Sequence, residues 1–130
     1  MENKLSPICL FTYDRLLETQ QTVTALQKNN LAVYSDLYVF SDGYKNESGK
    51  LKVEKVRKYI KTIKGFKSVT IFKSPNNKGL AKSIISGVSQ IIIKSGKVIV
   101  LEDDLITSSN FLNFMNQALS FYEDNPVIHS

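Results

Sequence analysis

Val98-Ile99-Val100-Leu101 runs directly into Glu102-Asp103-Asp104, so four aliphatic side chains are followed without a spacer by three carboxylates. A short unbroken aliphatic run of this kind predicts a strand buried on both faces, as in the interior of a parallel sheet. The acids then fall at the strand's carboxyl end, the rim where open α/β sheets bind ligands. Three adjacent carboxylates repel one another by on the order of several kcal/mol even at an effective dielectric of about 20. A hard divalent cation would offset this, since Mg²⁺ or Mn²⁺ takes one or two protein carboxylates together with substrate phosphate oxygens. Solvation at the N-terminus of the next helix would also offset it, through the helix dipole. The residues alone leave both readings open.

The rest of the chain reads as strands alternating with helices. Residues 5–11 form a first strand, and Leu16, Leu17, Thr19, Val23, Leu26 and Gln27 then follow a helical period, with Asp14 as its expected cap and Asn29-Asn30 as its stop. Residues 36–41 form a second strand that closes in the turn Ser41-Asp42-Gly43. Val53, Val56, Ile60 and Ile63 mark one stripe of a lysine-rich helix expected to stop at Gly65. Residues 68–73 are a third strand, and Leu80, Ile84, Ile85, Val88, Ile91 and Ile92 give a third helix reaching Ser95-Gly96. After the acids, Ser108 or Ser109 is placed to cap a helix carrying Phe111, Leu112, Phe114, Met115, Leu119 and Phe121. Four strand-helix units with right-handed crossovers predict a three-layer α/β fold with a mainly parallel, Rossmann-like sheet in the order three-two-one-four.

At 130 residues the chain has room for one core, so residues 1–130 are expected to belong to one domain. The net charge of +5 raises a nucleic-acid reading. Its distribution argues against it, because most of the excess lies between Lys45 and Lys67, interleaved with the helix stripe and without an aromatic-basic motif. A weak pull on phosphate-bearing ligands or anionic membranes remains. The single Cys9 sits in an apolar segment and suits a buried thiol in a reducing compartment. No stretch has the length of a membrane span, so the expected location is cytoplasmic, with peripheral membrane attachment as a further option.

Three segments together resemble the nucleotide-sugar-binding half of a glycosyltransferase with the GT-A fold. Phe11-Thr12-Tyr13-Asp14-Arg15 resembles the first-strand loop of these enzymes, Ser41-Asp42-Gly43 the second-strand turn, and Val100-Leu101-Glu102-Asp103-Asp104-Leu105 their DxD region. The Glu-Asp-Asp-Leu form, followed by a Phe-rich helix, is most similar to β-1,2-N-acetylglucosaminyltransferases. The resemblance implies a metal-dependent enzyme that transfers a sugar from a nucleotide-diphosphate donor, UDP-linked by preference, to an unknown acceptor. It further implies that Asp104 coordinates Mn²⁺ or Mg²⁺ held by the diphosphate, that Glu102 and Asp103 face ribose and donor sugar, and that Arg15 and Asp42 frame the base. Thr12 and Tyr13 join the donor site in the first-strand loop. A carboxylate at position 42 could accept from the uracil N3–H. It could equally stabilise its own turn.

Asn77-Lys78-Gly79-Leu80-Ala81 resembles the Asn-x-Gly-Leu-Ala stretch of family-two glycosyltransferases. It departs from them where an Arg-Asn pair follows, because Ile84-Ile85 stand at the matching positions. Lys82 and Ser83, at the start of a helix, are offered for the phosphates instead. Residues 126–130 read as the opening of a further strand, and the resemblance implies that the base and the acceptor surface lie beyond position 130, with self-association expected through the apolar surface so exposed. A terminal His129 is read as exposed chain. Two other functions compete with the transferase: a non-catalytic module that binds nucleotide or protein, and a phosphoryl-transfer receiver. The receiver is disfavoured because the acids gather after a single strand.

Overall fold

The computed structural model describes residues 4–124. Its elements are β1 (Ile8–Thr12), α1 (Leu16–Gln27), β2 (Asp36–Ser41), α2 (Lys50–Ile60), β3 (Ser68–Lys73), α3 (Leu80–Ser95), β4 (Ile99–Glu102) and α4 (Phe111–Asp124). Short 3-10 turns occupy Asn30–Tyr34 and Glu47–Gly49. All four strands are parallel and lie in the order β3-β2-β1-β4, as the crossover rule predicts. The expected strand at 126–130, with His129, lies outside the described residues.

Strand alternation sends two sets of side chains to two different layers. Ile8, Leu10, Leu37, Val39, Ile99 and Leu101 face the larger layer, where Val23 and Leu26 of α1, Val56 and Ile60 of α2 and Leu112 of α4 meet them. All are buried, and each Leu or Ile so placed stabilises the fold by roughly 1.5–3 kcal/mol. On the other face Cys9, Phe11 and Tyr38 pack with Ile91 of α3, joined by half-buried Phe40, Phe72, Ile84 and Val88.

Phe11, Phe40 and Phe72 are register partners on three adjacent strands. Their rings stack in a row, with centroids 4.8 and 5.0 Å apart. Glu102 extends the same rung beside Phe11. Helix α3 comes close to this row because residue 87 is glycine. A Cβ there would lie 2.9 Å from the Phe11 ring and 3.0 Å from Phe40.

A buried side chain ties the two ends of the fold. Asn29 donates from Nδ2 to the carbonyls of Ala25 and Ser108, while its Oδ1 accepts from the Leu112 N–H at 2.9 Å. The first turn of α4 is therefore served by a residue from the end of α1, and the exposed donors of a helix start are met across the core. The sequence placed Ser108 or Ser109 in that role. The Ser108 carbonyl instead accepts from Phe111 N–H and from Asn29.

Several expectations are corrected. Val100 of β4 is 39% exposed, because α3 lies over β1 and leaves that side of β4 open; among the described residues β4 ends the sheet, as the expected strand order has it. The strand is therefore not buried on both faces, and it ends at Glu102, so Asp103 and Asp104 belong to the turn beyond it. The first strand begins at Ile8, although the Pro7 carbonyl still accepts from Ile99 N–H at 2.9 Å. Asp14 does not cap α1. Arg15 occupies the N-cap position without a side-chain cap bond, while Asp14 lines the rim cavity. The lysine-rich helix ends at Ile60, yet Ile63 stays buried in the connection that follows.

Cys9 is fully buried, and burial pushes its thiol up to about 12 from 9.0. The folded state therefore holds a proton that the unfolded chain releases, so stability is complete below the unfolded value and falls as pH rises through this window. The expected slope is about 1.4 kcal/mol per pH unit between pH 9 and 12. Urea unfolding across alkaline pH should show that fall in the wild type and a shallower one in Cys9→Ala. Equal slopes would contradict it.

Candidate functional site at the carboxyl rim

The carboxyl ends of β1, β2 and β4 and the N-terminus of α3 enclose a cavity of about 250 Å³. Thr12, Tyr13, Arg15, Asp42, Ser83, Glu102 and Asp103 all line it, so seven of the nine residues singled out in the sequence meet there. Phe11, Asp14, Lys45, Asn77, Gly79 and Leu80 complete the wall. Asp104 lies beside the cavity, near Arg15, rather than in its wall. Lys82 is exposed and does not line it, because it lies one position before the turn of α3 that presents Ser83. A second cavity of about 230 Å³ adjoins the first at Asp42 and Ser83, over Phe40 and Phe72.

Asp42 organises the rim. Its Oδ1 accepts from the Gly43 and Lys78 N–H groups, each at 2.9 Å. Its Oδ2 accepts from Gly79 N–H at 3.0 Å and from Asn77 Nδ2 at 3.2 Å. An ionised carboxylate has about four acceptor positions, so Asp42 is saturated by its own chain. It also places an anion at the N-terminus of α3, where the helix dipole favours one. Gly43 is required beside it, because a Cβ at this position would lie 2.7 Å from the Asn76 carbonyl carbon.

Arg57 completes the clamp from below. It belongs to the basic stretch between Lys45 and Lys67, yet its side chain points inward. Its Nε donates to Ser41 Oγ at 2.8 Å, and its Nη2 donates to the carbonyls of Ser41, Asp42 and Ser74. The signal available in the sequence was its place one residue after Val56, on the edge of the apolar stripe. Asn77 was also missed as a rim residue; it donates to the Gly43 carbonyl at 2.8 Å as well as to Asp42.

The acidic end of the cavity has its own internal cation. Arg15 Nη2 lies 3.8 Å from Asp103 Oδ1, and Nη1 lies 3.7 Å from Asp104 Oδ2. These are charge contacts rather than hydrogen bonds. Asp103 is only 6% exposed, and its carbonyl accepts from the Thr22 hydroxyl at 2.8 Å. Burial raises its carboxyl above the usual range. Arg15 opposes the shift, Asp104 and Asp14 add to it, and a hydrogen bond from the Tyr13 backbone lowers it.

A divalent ion would find one or two carboxylates here, Asp104 exposed and Asp103 buried behind Arg15. No set of three ligand-type side chains converges among the described residues. That donor set fits an ion held jointly by one protein carboxylate and a diphosphate, and it does not fit an all-protein cage. The fold and the rim define the class: a three-layer α/β protein with a parallel sheet and a polar cavity, acidic at one end, at its carboxyl edge. No protein-family model matches the chain, and neither does any curated protein. No helix of the described residues is long and apolar enough to cross a membrane.

Substitutions at two residues test this geometry. Asp42→Ala should destabilise the fold by at least about 2 kcal/mol, since it strands donors that now meet a charged acceptor. Asp42→Asn should lose nearly as much, because its amide would face other donors; hydrogen exchange should localise the loosening to residues 76–79. Arg15→Gln removes the resident cation and should raise the affinity of the ligand-free protein for Mn²⁺ by about two- to fivefold, the scale of exposed ion pairs. Electron paramagnetic resonance of free Mn²⁺ reads this directly, and an unchanged affinity would show that Arg15 does not occupy the cation's place.

Proposed function

We propose that this chain binds the donor of a metal-dependent glycosyltransferase, a nucleotide-diphosphate sugar with UDP preferred, for transfer to an acceptor. The observation that carries the reading is the convergence of Thr12, Tyr13, Arg15, Asp42, Ser83, Glu102 and Asp103 on one rim cavity, drawn from three strand ends and one helix start. The GT-A resemblance assigned these segments to one ligand, and their meeting at the carboxyl rim supports it.

In this reading the nucleoside lies along the wall formed by Tyr13 and the start of α3. Asp42 acts through the loop it holds, since its acceptor positions are occupied, and thereby fixes the backbone that the base meets. Glu102 and Asp103 face ribose and sugar hydroxyls, which donate to carboxylate oxygens. Arg15, half-exposed and loosely held by two carboxylates, is free to turn onto diphosphate oxygens, where a planar guanidinium binds well. Asp104 would hold Mn²⁺ or Mg²⁺. When bound, the ion offsets the charge that develops on the leaving diphosphate.

Metal and nucleotide should then bind with positive coupling, because both meet at Asp104 and the coupling is reciprocal. Calorimetry should show UDP binding strengthened at least about tenfold by Mn²⁺, a coupling within the usual range. Asp104→Asn should erase that gain while leaving metal-free UDP affinity in place. A UDP affinity that is the same with and without Mn²⁺ at matched ionic strength would sink the proposal.

A further inference from the structure

Charge is divided unevenly along this chain. Residues 44–82 contain twelve Lys and Arg against two acids, whereas the remainder contains five against ten. Much of the basic part lies along α2 and the connection to β3. Lys50, Lys52, Lys55, Lys58, Lys61, Lys64 and Lys67 are all exposed there, with Glu54 the one acid between them. None of the seven takes part in an ion pair; the described ion pairs involve only Arg15 and Lys97. Val53, Val56 and Ile60 turn inward, so by helical spacing Leu51, Lys55 and Lys58 crown the outer face. Leu51 is 64% exposed in the middle of these lysines.

We propose that this α2 face docks on an anionic lipid surface. Seven exposed lysines without an ion-pair partner follow one another along α2 and the connection to β3, and polybasic segments of this size are drawn to acidic leaflets. A polynucleotide is the less fitting partner for three reasons. The one arginine of the helix is turned inward and spent on carbonyl groups. Tyr59 and Phe66 are half-buried, so the face offers no open ring for base stacking. None of the seven lysines lines the rim cavity or the cavity beside it, so neither offers them a groove that would track a phosphate strand. The exposed aliphatic Leu51 suits the boundary between headgroups and acyl chains.

The docking geometry follows from topology. β2 ends at the rim and β3 starts at the opposite edge, so α2 runs back along the sheet between them. With α2 flat on a bilayer, the rim cavity opens along the membrane plane, beside the headgroups. This inference does not depend on which ligand the rim takes.

Vesicle co-sedimentation tests it. The protein should bind vesicles with about one-third phosphatidylglycerol and leave pure phosphatidylcholine vesicles unbound, with affinity falling at least about tenfold as salt is raised from low to physiological strength. Replacing Lys52, Lys55, Lys58 and Lys61 together by Gln should weaken binding more than about a hundredfold, at about fivefold per lysine. The corresponding Lys→Arg variant should retain it, and circular dichroism should confirm that both are folded. An environment-sensitive dye on Leu51→Cys should shift to shorter wavelength on anionic vesicles; buried Cys9 stays unlabelled. If the Gln variant does not fold, the salt titration and the dye carry the test. No binding to anionic vesicles, undiminished binding by a folded Gln variant, an unshifted dye, or tighter binding to a duplex RNA than to vesicles would each overturn the proposal.

Discussion

Everything at the rim depends on one carboxylate. Asp42 directly follows β2, and it draws together its neighbour Gly43 and Asn77, Lys78 and Gly79 from the loop that starts α3. Without those bonds the β3 to α3 connection would have to satisfy its donors from water and would lose its fixed distance from the sheet. Arg57 serves the neighbouring carbonyls from the opposite side, so backbone donors and acceptors around the ends of β2 and β3 are matched within the protein. A loop restrained from both sides is a rigid wall for a ligand.

The two ends of the cavity are built on one electrostatic plan. Each holds a side chain whose charge answers the local field: Asp42 at the positive start of α3, Arg15 against the carboxylates of Asp103 and Asp104. The holds differ in strength. Asp42 makes four hydrogen bonds, whereas Arg15 makes two charge contacts beyond hydrogen-bond range and stays about half exposed. One end of the cavity is therefore fixed and the other is adjustable.

Much of the fold was legible because local signals and connectivity agree. β2 and β3 fall at the predicted residues, since breakers flank both, and α3 runs from Leu80 to Ser95 as its apolar spacing and Gly96 require. The parallel sheet followed from alternation and handedness. What escaped prediction depends on which element covers which. An aliphatic run does not encode whether a helix lies over it, so Val98 to Leu101 read as covered on both faces when Val100 is left open. Asn29 read as a helix stop because its partners at Ser108 and Leu112 are remote in sequence. At the site, residue types and strand ends were enough to gather most of the cavity wall. The saturation of Asp42 and the inward turn of Arg57 were not readable, because each depends on bonds from a neighbouring element.

The contact between Gly87 and the phenylalanine row bears on how this sequence can diverge. Position 87 is locked from one side only. Any larger residue there meets two ring edges at once, whereas Phe11 or Phe40 can shrink first and leave only a void. Drift along this seam therefore has a required order, strand before helix, and lineages that keep both rings must keep the glycine. Homologues should accordingly show the helix residue enlarging only where a ring on β1 or β2 has already been lost.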